Sequence, residues 1–147
     1  MDDQPHVVRF RVQYCDTDQM KTYYNARVLE WFEFGRTEFL RALGKPYRLW
    51  EAEGVMLPIH EAHLQFDGPA QYDDLLRMTT VLSMPSRARF RFDNRIVHDA
   101  TDEPVCHGYT VHVVVDSRGR AIRPPAWMAD LAVGERDVAG CGAGGGA

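Results

Sequence analysis

Between Val8 and Tyr14 apolar and polar residues alternate one for one, with Val8, Phe10, Val12 and Tyr14 on one side and Arg9, Arg11 and Gln13 on the other. A period of two puts successive side chains on opposite faces, so this segment predicts a half-buried strand. Cys15-Asp16-Thr17-Asp18 closes it with turn-forming residues. From Asn25 to Leu43 the period changes. Leu29, Phe32, Arg36, Phe39 and Leu43 recur at helical spacing, and Val28, Trp31 and Leu40 widen the apolar face. That breadth predicts a helix buried inside the fold. Gly35 weakens such a helix by roughly 1 kcal/mol against Ala, which close approach of a sheet would offset. Gly44 and Pro46 stand where a helix stops.

After Gly54 the pattern returns to a period of two. Val55 to Phe66 predicts one strand, ended by Asp67-Gly68-Pro69. Leu76, Met78, Thr80, Leu82 and Met84 then alternate with Arg77, Thr79 and Ser83, up to a turn at Pro85-Ser86. Ala88, Phe90, Phe92 and Ile96 alternate with Arg87, Arg89, Arg91 and Arg95, and Asp99 to Glu103 turns the chain again. Tyr109, Val111, Val113 and Val115 form the last alternating set, before Asp116-Ser117-Arg118-Gly119 and Pro124-Pro125. The predicted order is strand, one long helix, then four strands joined by short turns, which makes neighbours antiparallel. This is an α+β fold, a curved antiparallel sheet of about five strands wrapped around one long central helix. One helix covers one face, so a partner subunit is expected on the remaining surface. Residues 1–133 read as a single domain and residues 134–147, ending in Gly-Cys-Gly-Ala-Gly-Gly-Gly-Ala, as a disordered tail.

Composition narrows the function classes. With 147 residues, 45% of them hydrophobic and 26% charged, the chain suits one ordinary globular core. Its longest apolar runs, such as Val113-Val114-Val115, are too short to cross a membrane. Met1-Asp2-Asp3-Gln4-Pro5 has acids where an export signal carries basic and apolar stretches, so the cytoplasm is the expected compartment. Cys15, Cys106 and Cys141 have no paired spacing, which disfavours a disulfide framework or a zinc site. A net charge of -4 gives no general attraction for nucleic acid.

The densest run of chemistry-bearing residues, Tyr14 to Asn25, joins the first strand to the helix start. A helix N-terminus presents unpaired N–H groups and the positive end of a dipole, which can hold a developing oxyanion. A carboxylate a few residues upstream can face the same point as nucleophile or general base. On spacing alone, Asp16 and Asp18 serve equally well as turn and cap residues. A calcium loop starting at Asp16 fails, since Lys21 replaces its glycine and Arg27 its glutamate. His60 and His63 are three apart on a predicted strand and point to opposite faces, so they do not form a metal pair. Either could face a substrate cleft. Cys15 lies beside two acids that discourage its thiolate. No Gly-x-Ser-x-Gly or Gly-x-Gly-x-x-Gly occurs.

The run Tyr14-x-Asp16-Thr17-Asp18, then Met20, Tyr24-Asn25-Ala26, Leu29-x-Trp31-Phe32-Glu33 and Arg36, resembles the signature of the 4-hydroxybenzoyl-CoA thioesterase family. Pro69-Ala70-x-Tyr72-Asp73-Asp74 and Val113-Val114-Val115-Asp116-x-x-Gly119-Arg120 extend the resemblance over roughly residues 7 to 125. The resemblance implies a hotdog fold, dimers often paired into tetramers, and acyl-CoA hydrolysis with no metal or cofactor. It assigns the catalytic carboxylate to Asp18 and the carbonyl-polarising N–H to Asn25, beside Tyr24. Phe32, and one of His60 and His63, are expected along the acyl chain; Arg87 and Arg89 are candidates for the CoA phosphates. Lys21 departs from the family, where glycine is common, as do Arg27 and Val28. Three other readings share the residues: a thioesterase serving an acyl carrier protein, a non-catalytic acyl-CoA-binding protein, and a hydratase or dehydratase. The last would want a helix histidine, and none lies between His6 and His60.

Overall fold

A computed structural model describes residues 5–131 and turns the two periods into one sheet and one long helix. The strands are β1 (His6–Arg11), β2 (Ile59–Phe66), β3 (Leu75–Ser86), β4 (Arg89–His98) and β5 (Pro104–Val113). They form a single sheet in the order β1-β3-β4-β5-β2, every neighbouring pair antiparallel. The long helix, α1 (Arg27–Ala42), packs against β1, β3 and β4. This is the hotdog architecture.

Alternation in the sequence becomes alternation in burial. Leu76, Met78, Thr80 and Leu82 of β3 and Phe90, Phe92, Asn94 and Ile96 of β4 all point inward. The two polar members meet across the ladder, where the Thr80 hydroxyl donates to Asn94 Oδ1 at 2.8 Å and Asn94 Nδ2 is left without a partner among the described residues. At Gly35, α1 comes close to β3. A Cβ there would stand 2.6 Å from Met78 Cε, so the glycine is matched by the expected close approach.

Two patches of core lie along α1. One gathers Val12, Tyr23, Val28, Trp31, Phe32, Ala70, Leu76 and Met78 under the first half of the helix. The other gathers Leu40, Trp50, Val55, Leu57, Phe90, Phe92 and Val114 under its end. The second contains an element that the periodicity did not predict: α2 (Tyr47–Ala52), which buries Trp50 completely. Its six residues are too few for a helical period to show. The strand expected from Val55 begins only at Ile59, because Val55 and Leu57 are drawn into that core instead. The first strand stops at Arg11, and Tyr14–Asp16 is a single 3-10 turn. The last strand runs Pro104–Val113, and a short helix, α3 (Ala126–Asp130), follows it. The tail expected at 134–147 lies outside the described residues. Among those described, no helix is long and apolar enough to cross a membrane.

The two edge strands differ. β1 alternates between half-buried and exposed, whereas β2 is exposed along nearly its whole length, with Ile59 46% and Phe66 45% exposed.

Candidate active site

The residues from Thr17 to Tyr23 form a miniature hairpin. Thr17 and Tyr23 pair as an antiparallel bridge, the Asp18 N–H donates to the Thr22 carbonyl at 3.0 Å, and the Lys21 N–H returns to the Asp18 carbonyl at 3.0 Å. So tight a return needs a left-handed residue, and Lys21 supplies it with φ 64°. A side chain there is disfavoured by about 1–2 kcal/mol, which is why glycine suits the position. The hairpin is fixed to the body at several points. The Tyr23 N–H donates to the Ala70 carbonyl at 2.9 Å, and the Thr22 hydroxyl bridges the Ala70 backbone at 3.2 Å. Below them the Tyr23 phenol donates to the Val105 carbonyl at 3.0 Å, and its burial pushes the pKa up to about 12. The second motif, Pro69 to Asp74, is thus the platform under the first.

The two aspartates divide the work. Asp16 is buried, and its Oδ2 accepts the Gln13 N–H at 2.8 Å while its carbonyl accepts the Tyr24 N–H at 2.7 Å. Asp18 is exposed at the far end of the hairpin. Its Oδ1 accepts the Met20 N–H at 2.8 Å, which orients the carboxylate and leaves Oδ2 outside every hydrogen bond among the described residues. Beyond the Tyr24 rung the chain enters α1 without a side-chain cap: Ala26 occupies the cap position in helical geometry. The N–H groups of Asn25 and Ala26 donate to no backbone or side-chain acceptor among the described residues. An open carboxylate oxygen and an open helix terminus therefore belong to one short, braced segment.

Residues 12–132 match the Thioesterase-like superfamily. The chain belongs to that superfamily. This membership is broader than the 4-hydroxybenzoyl-CoA thioesterase family that the motifs resemble. The acyl-CoA thioesterase YbgC of Haemophilus influenzae is 33% identical over 90 residues, 60% of this chain and 66% of that one. The acyl-acyl carrier protein thioesterase ATL3 of Arabidopsis thaliana is 28% identical over 121 residues, 82% of this chain and 64% of that one. A crystal structure described as a probable thioesterase from Bartonella henselae superposes with a TM-score of 0.76 at 32% identity, over 82% of this chain and 99% of that one. The chain is a thioester hydrolase.

In this thioesterase the remaining predicted residues are scattered. Tyr24 is 54% exposed beside the helix start, and Asn25 is exposed next to it. Phe32 is wholly buried in the core. His60 is the extra residue of a bulge in β2, and His63 lies stacked on Tyr109 with ring centroids 5.4 Å apart. Arg87 and Arg89 are exposed at the β3–β4 turn. They sit at the opposite end of β3 from the hairpin's platform, roughly 36 Å along the strand. Within one chain, Arg87 and Arg89 therefore stand far from that platform. No cluster of metal-ligating side chains occurs among the described residues. Two groups that the sequence reading did not single out for the site are Tyr23 and Ala70, which anchor the hairpin. Their signal was present, since both fall inside or beside the motifs.

Proposed function

We propose that this chain is a cytoplasmic acyl-CoA thioesterase of the 4-hydroxybenzoyl-CoA thioesterase type, working as a homodimer or dimer of dimers. The observation that carries the reading is that the Asp18 carboxylate and the uncapped start of α1 belong to one short, braced segment. Asp18 is assigned as nucleophile or general base. The Asn25 N–H is assigned to polarise the thioester carbonyl and stabilise the oxyanion formed on attack. Tyr24 flanks the thioester. Water cleaves the acyl group from sulfur, giving a free carboxylic acid and the CoA thiol.

The bare edge of β2 supports an oligomer, since a row of unpaired backbone groups invites a second strand. A second copy across that edge is the means by which His60, His63, Arg87 or Arg89 would reach a neighbour's Asp18. Cys15, exposed and unpaired among the described residues, suits a reducing compartment. The name of the Arabidopsis relative favours a second reading, in which the acyl group arrives on a carrier protein.

Thiol release from aliphatic and aromatic acyl-CoAs, with matching carrier-bound thioesters beside them, tests both readings. Faster release from CoA supports the first, and faster release from the carrier supports the second. No release from either removes both. Single turnover in ¹⁸O-water separates the roles of Asp18: label entering the carboxylate marks a nucleophile, and label only in the product marks a base.

A further inference from the structure

A cavity of about 220 Å³ lies beneath the middle of α1. Glu33, Arg36, Thr37 and Leu40 line it from the helix, Tyr47 from α2 and Leu57 from the segment before β2. None of the hairpin residues takes part. Arg36 stands nine residues beyond the first residue of α1, roughly 14 Å along its axis.

We propose that this cavity is a second ligand site, built for a small monocarboxylic acid. Arg36 provides the main reason. Its Nη1 is buried without a hydrogen-bond partner, and its guanidinium is set over the Phe92 ring, 5.9 Å from the centroid. Arg36 as a whole is half-buried, so the demand for an acceptor falls on this one enclosed nitrogen. Glu33 lines the same space one turn away, yet forms no ion pair with Arg36. Tyr47 adds a donor. Its oxygen accepts the Leu57 N–H at 3.0 Å, so its own O–H is left to donate, and no acceptor for it occurs among the described residues. Guanidinium and phenol together suit the two oxygens of a carboxylate. Leu40 and Leu57 supply apolar walls for its body. An apolar cavity near 150 Å³ holds benzene, so this one has room for a ring bearing a carboxylate. Glu33 repels a doubly charged anion, which sets a monocarboxylate above inorganic phosphate. The site stands whether or not the chain hydrolyses acyl-CoA.

Titration of the full-length protein with benzoate, benzamide and phosphate, followed by calorimetry and by the arginine side-chain signals in NMR, tests the assignment. Benzoate should bind about tenfold or more tighter than benzamide, the discrimination of a charge-assisted pair, and should move the Arg36 signal. The same binding should persist in Asp18→Asn, which separates this site from the hairpin. Arg36→Gln should abolish it, and Thr37→Leu, which fills the cavity while leaving Arg36 and Tyr47 in place, should weaken it to a similar degree. If Arg36→Gln does not fold, Thr37→Leu and the benzoate-to-benzamide ratio decide. Equal binding of benzoate and benzamide, or tighter binding of phosphate, overturns the proposal. So does retention of benzoate by the folded Arg36 variant. Absence of saturable benzoate binding also overturns it, including the case in which a second copy already fills the cavity with its own carboxylate.

Discussion

At the start of α1 the ionisable group, Asp18, stands in solvent on a hairpin held by backbone hydrogen bonds. In the middle of the same helix the ionisable group, Arg36, is half-buried over the Phe92 ring, with one enclosed nitrogen unpaired. The first arrangement places a charge through chain geometry and keeps it hydrated; the second places a charge through packing and takes part of its hydration away. Function at the hairpin should therefore be sensitive to chemistry and indifferent to stability. The buried interior should behave in the opposite way.

The sharpest way to break that contrast is Asp18→Asn. The amide oxygen can still accept the Met20 N–H, so unfolding by urea should be unchanged, while kcat/KM should fall by about 10²–10⁴-fold, as for a lost acid–base group. A parallel loss of stability would mean that Asp18 is a structural residue. Phe32→Ala should do the reverse, lowering stability by about 3–5 kcal/mol because its ring is wholly buried. A change in acyl preference with stability intact would instead make Phe32 part of the substrate cleft.

The interior also contains a pH-sensitive group. His112 is completely buried, with Nδ1 2.8 Å from the Leu57 carbonyl and Nε2 2.9 Å from the Thr110 hydroxyl. A carbonyl only accepts, so Nδ1 carries the proton and the ring is held neutral. Burial pulls its pKa down from 6.5 to about 4; the Leu57 bond opposes that fall, and the Arg36 charge adds to it. The unfolded chain then binds a proton that the folded one refuses between pH 6.5 and about 4. Stability is full above that window and falls through it as pH drops, by about 3 kcal/mol in all. Urea midpoints measured from pH 7 to 4 should show this slope, and His112→Gln should flatten it.

Two smaller effects sharpen the comparison within the hairpin. Asp16→Ala removes the acceptor of the Gln13 N–H, and about 1–2 kcal/mol of stability should go with it. Activity should fall as well, though less than for Asp18→Asn. Lys21→Gly relieves the left-handed backbone at φ 64°, and a gain of about 0.5–1 kcal/mol should appear in the urea midpoint. A loss would show that the lysine side chain has a contact that outweighs the strain.

The strand and helix periods were readable because burial in this fold is nearly one-sided. Apart from Ile96, which stands beside buried Val97, each inward residue of β3 and β4 is flanked by half-buried or exposed neighbours, and that contrast is the signal. α2 escaped because it is short and lies between Pro46 and Gly54, which read as punctuation. β2 was placed four residues too early because Val55 and Leu57 are apolar for another reason, the core around Trp50. At the site, the motif marked Asp18, but spacing could not tell which aspartate is buried. That depends on the hydrogen bonds from Gln13 and Tyr24, which form only once the loop has closed. Arg36 was visible as one charged residue at an otherwise apolar helix position. Its meaning depended on the space beside it, and periodicity carries no information about cavities.

The sheet order has a consequence for the birth of the protein. β1 pairs with β3, so His6 waits for Thr80, and the hairpin carrying Asp18 waits for Ala70. At a ribosomal rate of roughly 5–20 residues per second, the segment containing Asp18 precedes its docking platform by about 3–10 s. During that interval the carboxylate hangs on an unstructured nascent chain, with no braced helix start beside it. Synthesis order thus delays the bracing of the hairpin, with β1 and β2 made before Ala70 and the other three strands after it.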